Sequence, residues 1–111
     1  MKIATRQLDG ITVLDLGGRI TLGEGSVQLR EAVRDLLAKG QKKIVLNLGD
    51  VSYMDSSGMG ELVTAYTSAK NQGGELKLVN LTKKIEDLMQ ITKLATVFDI
   101  YDDEAKAIAS F

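Results

Sequence analysis

The chain has 111 residues, 44% of them hydrophobic and 26% charged, the balance of one compact globular domain with a real core. Its net charge of −1 gives no global pull toward nucleic acid or anionic lipid. It has no cysteine and no histidine, which excludes disulfides, thiol nucleophiles, the usual zinc sites and every Ser-His-Asp or Cys-His arrangement.

A catalyst built without histidine must rely on carboxylates, Lys or Tyr. Few such groups stand close together here, so the chain reads as a binding protein rather than an enzyme, with no cofactor and no metal. Lys42-Lys43 and Lys83-Lys84 are isolated pairs and read as solvated faces. No apolar run approaches the ~20 residues that span a bilayer, and Met1–Arg6 lacks the apolar core of a signal peptide. The expected location is the cytoplasm, without direct membrane insertion.

Ile3 to Leu8 and Ile11 to Leu16 are strand-like and are joined by Asp9-Gly10. Asp-Gly between two such runs predicts a hairpin, because a tight I′ turn needs positive φ at both central residues. Ile11 and Val13 alternate on one face until Asp15 breaks it, while Leu14 and Leu16 point the other way. Gly17 to Ser26 reads as a loop, with Ser26 the expected N-cap of the next helix. Leu29, Ala32, Val33, Leu36 and Leu37 form one apolar helix face, which Gly40 ends in a left-handed position.

Ile44 to Leu48 is a nearly continuous apolar run, suited to a central strand covered on both faces. After a loop around Ser56, the residues Met59, Leu62, Val63, Tyr66 and Ala69 or Lys70 trace a second helical stripe, which stops near Gly73-Gly74. Leu76 to Val79 is a third buried-type strand. Thr82 can cap a short helix with Ile85, Leu88 and Met89 inward. Val97 to Ile100 predicts the last strand. Asp102 and Asp103 open a final helix with Ala105, Ile108 and Ala109 inward, acids being favoured at that end. The order β-β-α-β-α-β-α-β-α, without proline, linker or repeat, predicts a single α/β domain over residues 1–111. Its sheet is mixed, an antiparallel hairpin followed by parallel strands, with helices packed on it. No strong apolar stripe is left unassigned, which suggests a monomer.

Two glycine clusters invite a nucleotide-site reading. Gly23-Glu24-Gly25 is followed by Gln28, and Gly58-Met59-Gly60 by Val63, where a dinucleotide fingerprint needs its third glycine. Neither ends in Gly-Lys-Ser/Thr, so both read as loop and cap glycines.

The most informative string is Val51-Ser52-Tyr53-Met54-Asp55-Ser56-Ser57-Gly58-Met59-Gly60. Any of Asp55, Ser56 or Ser57 can cap the second helix, and Glu61 would favour its dipole. A cap needs only one of them. Glycine beside the hydroxyls would let another chain's backbone approach closely.

With Asn47-Leu48 before it, this string resembles the signature of bacterial anti-sigma factor antagonists, which are stand-alone STAS domains. The resemblance covers nearly the whole chain, including the opening hairpin and the Gly73-Gly74 pair. It implies a binding switch. The unphosphorylated antagonist would bind a serine kinase that doubles as an anti-sigma factor, freeing the sigma factor. The kinase would phosphorylate Ser56, the serine directly after the Asp, and a metal-dependent serine phosphatase would restore the binder. Asp55, Ser57 and Gly58 would flank the phosphosite at the contact surface. Tyr53, Met54 and Met59 are candidates for its apolar part, with Met59 also on the inward stripe. The segment Arg19-Ile20-Thr21-Leu22 is expected beside the Ser56 loop. Many phosphorylatable antagonists read Gly-Glu-Leu-Asp there; this chain reads Gly18-Arg19-Ile20-Thr21, so Thr21 replaces an acid used at the kinase contact. Its hydroxyl can still hydrogen-bond, and Arg19 could steady a phosphate on Ser56. A rival from another class is a STAS accessory subunit of a transport ATPase complex, with Ser56 as a contact residue only.

Overall fold

The computed structural model describes residues 1–111. Strands β1 (Lys2–Leu8) and β2 (Ile11–Ile20) form the opening antiparallel hairpin. Asp9 and Gly10 have φ of 51° and 79°, the two positive values that a I′ turn requires. Helix α1 (Glu24–Ala38) leads to β3 (Lys43–Met54), then α2 (Ser56–Asn71), β4 (Glu75–Val79), α3 (Lys83–Ile91), a 3₁₀ turn (Leu94–Thr96), β5 (Asp99–Tyr101) and α4 (Glu104–Ala109). The sheet runs β1-β2-β3-β4-β5, and every pair after the hairpin is parallel. This is the expected mixed α/β sheet.

Alternation along the strands divides the core. Leu14, Leu16, Ile44, Leu46, Leu48, Leu76 and Leu78 face the apolar sides of α1, α2 and α3. Ile11, Val13, Val45 and Val79 face α4, with Ala107 and the half-buried Ile108 and Phe111. Strands β2 and β3 are therefore covered on both faces. Asp15 interrupts the second face at the edge of α4. Its carboxylate accepts hydrogen bonds from Arg6 Nε (2.6 Å) and Asn47 Nδ2 (2.8 Å), and Arg6 Nη1 reaches Glu104 on α4 at 3.1 Å. The acid that breaks the apolar pattern thus ties β1, β2, β3 and α4 together.

Several expected boundaries move. Strand β2 does not end at Leu16: it stays paired with β3 to Ile20, through register shifts between Asp15 and Gly17 and between Gly18 and Arg19. Gly17-Gly18 is an irregularity inside a strand rather than the start of a loop. Strand β3 likewise continues past Leu48 to Met54. Ser26 does not cap α1, which begins two residues earlier behind Gly23. Instead Ser26 is buried, and its hydroxyl donates to the Thr21 carbonyl at 2.8 Å.

On α2 the inward residue at the end of the stripe is Ala69, with Lys70 exposed, and Ala65 joins the core while Val63 and Tyr66 are half-buried. Thr82 caps α3 as expected, accepting from the Ile85 N–H at 3.3 Å. The last strand starts at Asp99. Val97 and Phe98 precede it, Phe98 buried against the Tyr66 ring with 5.6 Å between centroids. On α4, Ala105 and Ala109 are exposed and Ala107 is the buried residue. Asp103 caps this helix from the Ala105 N–H, so Glu104, Ala107, Ile108 and Phe111 share the face toward the sheet.

Candidate functional site

The parallel ends of β2 and β3 pair Arg19 with Tyr53 and Ile20 with Met54. The segment Arg19–Leu22 and the Ser56 turn are therefore neighbours, because both chains leave the sheet at the same end. Asp55 is the N-cap of α2, with extended backbone (φ −99°, ψ −174°). One carboxylate oxygen accepts from the Gly58 N–H at 2.9 Å, the usual bond from an N-cap to the third helical residue. The other accepts from the Leu22 N–H at 3.0 Å. Together the Leu22 and Gly58 bonds hold this carboxyl below the usual carboxylate range. A single charged group thus fixes both the start of α2 and the turn after β2.

The cap assignment separates the two hydroxyls. Ser56 is the first residue of α2 and is exposed; Ser57 is half-buried. Glu61 lies in the second turn, not the first, and pairs with Arg30 of α1 at 3.5 Å. It does not act on the dipole at Ser56.

The other expected contact residues divide in the same way. Tyr53 and Met54 alternate on a strand, so they face opposite ways. Tyr53 is 42% exposed, with the Arg19 guanidinium 4.7 Å from its ring centroid. Met54 is 5% exposed and belongs to the core, as does Met59. Gly58 is buried as well. A Cβ built there would fall 2.2 Å from the Ile20 carbonyl oxygen and 2.8 Å from Met54 Cγ. The expectation that Met54 and Gly58 offer surface to a partner is therefore corrected: both shape the site from beneath. Thr21 is half-buried, its carbonyl held by the N–H and hydroxyl of Ser26.

Leu22, expected only as part of a neighbouring loop, is 79% exposed beside Asp55. Its apolar neighbour at strand spacing, Ile20, is fully buried, so no pattern in the sequence marks Leu22 as exposed. Arg19, Leu22, Tyr53 and Ser56 are the exposed members of the site. No helix is long and apolar enough to cross a membrane.

The model of the STAS domain family matches residues 2–107. The chain belongs to the STAS domain family. An anti-sigma-B factor antagonist of Bacillus subtilis (strain 168) is 35% identical over 100 residues, covering 90% of each chain. A crystal structure of a Thermotoga maritima protein, proposed as an anti-sigma factor antagonist, superposes with a TM-score of 0.90 at 28% identity, covering 97% of this chain and 92% of that one. The Bacillus cell fate determinant SpoIIAA in its phosphorylated form shares the fold, with a TM-score of 0.74 at 21% identity and 98% of both chains covered. In this STAS domain, the signature string spans the end of β3 and the first turns of α2.

Proposed function

We propose that residues 1–111 form one STAS domain that acts as an anti-sigma factor antagonist, switched by phosphorylation of Ser56. Unphosphorylated, it binds a serine kinase that is itself the anti-sigma factor, and so frees the sigma factor. A serine phosphatase resets it. The observation that carries this reading is the exposed Ser56 hydroxyl at the first position of α2, directly after a cap that leaves Ser57 half-buried. The similarity to proteins named anti-sigma factor antagonists supports it.

The chemistry is consistent. A phosphate adds about −1.5 to −2 charges and three acceptor oxygens. The N–H groups and dipole of a helix start favour an anion and offset the repulsion from the adjacent Asp55, while Glu61 pairs with Arg30 of α1. The fold should therefore tolerate the modification. At an interface, a like-charge clash or unpaired buried charge costs several kcal/mol, and each ~1.4 kcal/mol is tenfold in affinity. Binding can switch off without a change of shape. Arg19, Tyr53, Leu22, Thr21, Asp55 and Ser57 surround Ser56 as the contact surface, with Thr21 contributing a hydroxyl where related chains carry an acid.

The test uses the purified chain, a purified anti-sigma factor serine kinase and ATP. Mass spectrometry should map one phosphate to Ser56. Ser56→Ala should bind the kinase and resist phosphorylation, and Ser56→Asp should bind at least about tenfold more weakly. Equal binding by Ser56→Asp and the parent would sink the charge switch.

A further inference from the structure

Among the glycines of the signature, Gly58 has an internal reason to be glycine and Gly60 has none. Gly60 lies inside α2 with ordinary helical backbone, is exposed, and a Cβ built on it would meet nothing within 4 Å. A glycine in a helix interior costs about 1 kcal/mol relative to alanine, through backbone entropy. No left-handed φ, close internal contact or cap offsets that cost. Its place on α2 is four residues after Ser56, so the two share one exposed face.

We propose that Gly60 is a specificity-determining contact of the kinase interface. On this view the bare backbone at Gly60 is where the anti-sigma factor kinase lies flush against α2, one helical turn beyond the hydroxyl it modifies. The inference rests on the function proposed above. It extends that interface along α2, away from Leu22 and Asp55, which flank Ser56 on the side of β2. A side chain at 60 would hold the kinase surface off the helix and lift it from Ser56. The role is steric and needs no group on Gly60 to react.

Substitution separates this role from a structural one, because the two effects have opposite signs. Gly60→Ala should raise the melting temperature by about 3–6 °C, the return of lost helix propensity. The same variant should bind the purified kinase at least about tenfold more weakly, since overpacking a close contact is costly. Gly60→Leu should weaken binding further while still folding. Loss of affinity that grows with side-chain size, in a protein that melts no lower than the parent, supports the proposal. If both variants bind as tightly as the parent, the inference is overturned and the function reading stands. A melting temperature that falls with Gly60→Ala also overturns it, because the glycine would then have an internal role. If the parent fails to bind the kinase at all, the function reading fails and takes this inference with it.

Discussion

Gly58→Ala should destabilise the protein, although it replaces a helical glycine with the best helix former. Propensity alone favours alanine by about 1 kcal/mol. The built Cβ sits 2.2 Å from the Ile20 carbonyl oxygen, while close carbon–oxygen approaches settle near 3.3–3.6 Å, so the start of α2 must retreat by roughly 1 Å. The oxygen belongs to the backbone of β2 and cannot swing aside. Met54 Cγ, 2.8 Å from the same point, lies near the root of a buried side chain, with Sδ and Cε still beyond it, so it has little freedom to move. Overpacking of this kind costs about 1–3 kcal/mol and occasionally more. Contact with backbone places the change at the upper end, so the net loss is about 1–2 kcal/mol after the propensity gain. In a domain of this length that is a fall in melting temperature of about 4–8 °C. Differential scanning calorimetry on parent and variant measures it. The retreat would also stretch the 2.9 Å bond from the Gly58 N–H to Asp55, so amide exchange at Gly58 should speed up. A variant that melts at or above the parent temperature would refute the argument from close packing.

Two further outcomes follow from the core and from the carboxylates. Leu62→Ala empties a fully buried site between α2 and the sheet and should cost about 2–5 kcal/mol in urea unfolding; a loss under about 1 kcal/mol would mean the site collapses freely. Asp15 is held below its ordinary pKa chiefly by hydrogen bonding to Arg6, then to Asn47, and Asp55 by the N–H groups of Leu22 and Gly58. A folded pKa below the unfolded value near 3.9 means that the unfolded chain binds more protons in acid. This stabilisation is complete above about pH 5 and is lost as pH falls through the folded values. With no histidine in the chain, the urea midpoint should be nearly flat from about pH 6 to 8 and drop below about pH 4. Asp15→Asn should shallow that acid limb, and an unchanged limb would remove Asp15 from the account.

The fold was legible where sequence signals were local and unambiguous. Asp9-Gly10 permits few turns, and the residues from Ile44 to Leu48 suit only a strand buried on both faces. The signals failed where tertiary pairing overrode composition. Gly17-Gly18 has the composition of a loop, yet β3 supplies a parallel partner that keeps those residues in the sheet to Ile20. Ser26 has the chemistry of a cap, but its hydroxyl reaches the Thr21 carbonyl, which no local pattern predicts. Helix α4 has six residues, too few for apolar spacing to fix a face; Ala107, Ile108 and Phe111 pack on the sheet, with the ion pair from Glu104 to Arg6 on the same side. At the site, the residues alone left the cap open among Asp55, Ser56 and Ser57, and only the resemblance singled out Ser56; the cap falls on Asp55, whose carboxylate accepts from the Gly58 N–H. The split between Gly58 and Gly60 was not readable either, since both are glycine and only the position of Ile20 tells them apart.

The signature string is best understood as two sets of residues with separate physical duties. Asp55, Gly58, Met54 and Met59 act inward: they cap α2, seat it on the end of β2 and fill the space beneath. Their effect is to hold Ser56 outward at a fixed height on a rigid helix start. A hydroxyl held this way can enter another protein's site without the ordering cost that a mobile loop would pay, about 1–2 kcal/mol for each residue fixed. In the proposed switch, the same rigid mounting would sharpen the response. A phosphate on a flexible segment could turn away from an interface, whereas one placed on Ser56 would have no such escape, because Asp55 binds the turn after β2 and the first turn of α2 at once. Asp55→Ala, which removes both bonds, should therefore blunt the effect of Ser56→Asp as well as lower stability. In a double-mutant cycle the penalty of Ser56→Asp on kinase binding should shrink in the Asp55→Ala background. An undiminished penalty would mean that the charge alone, and not the rigidity of its mounting, sets the switch.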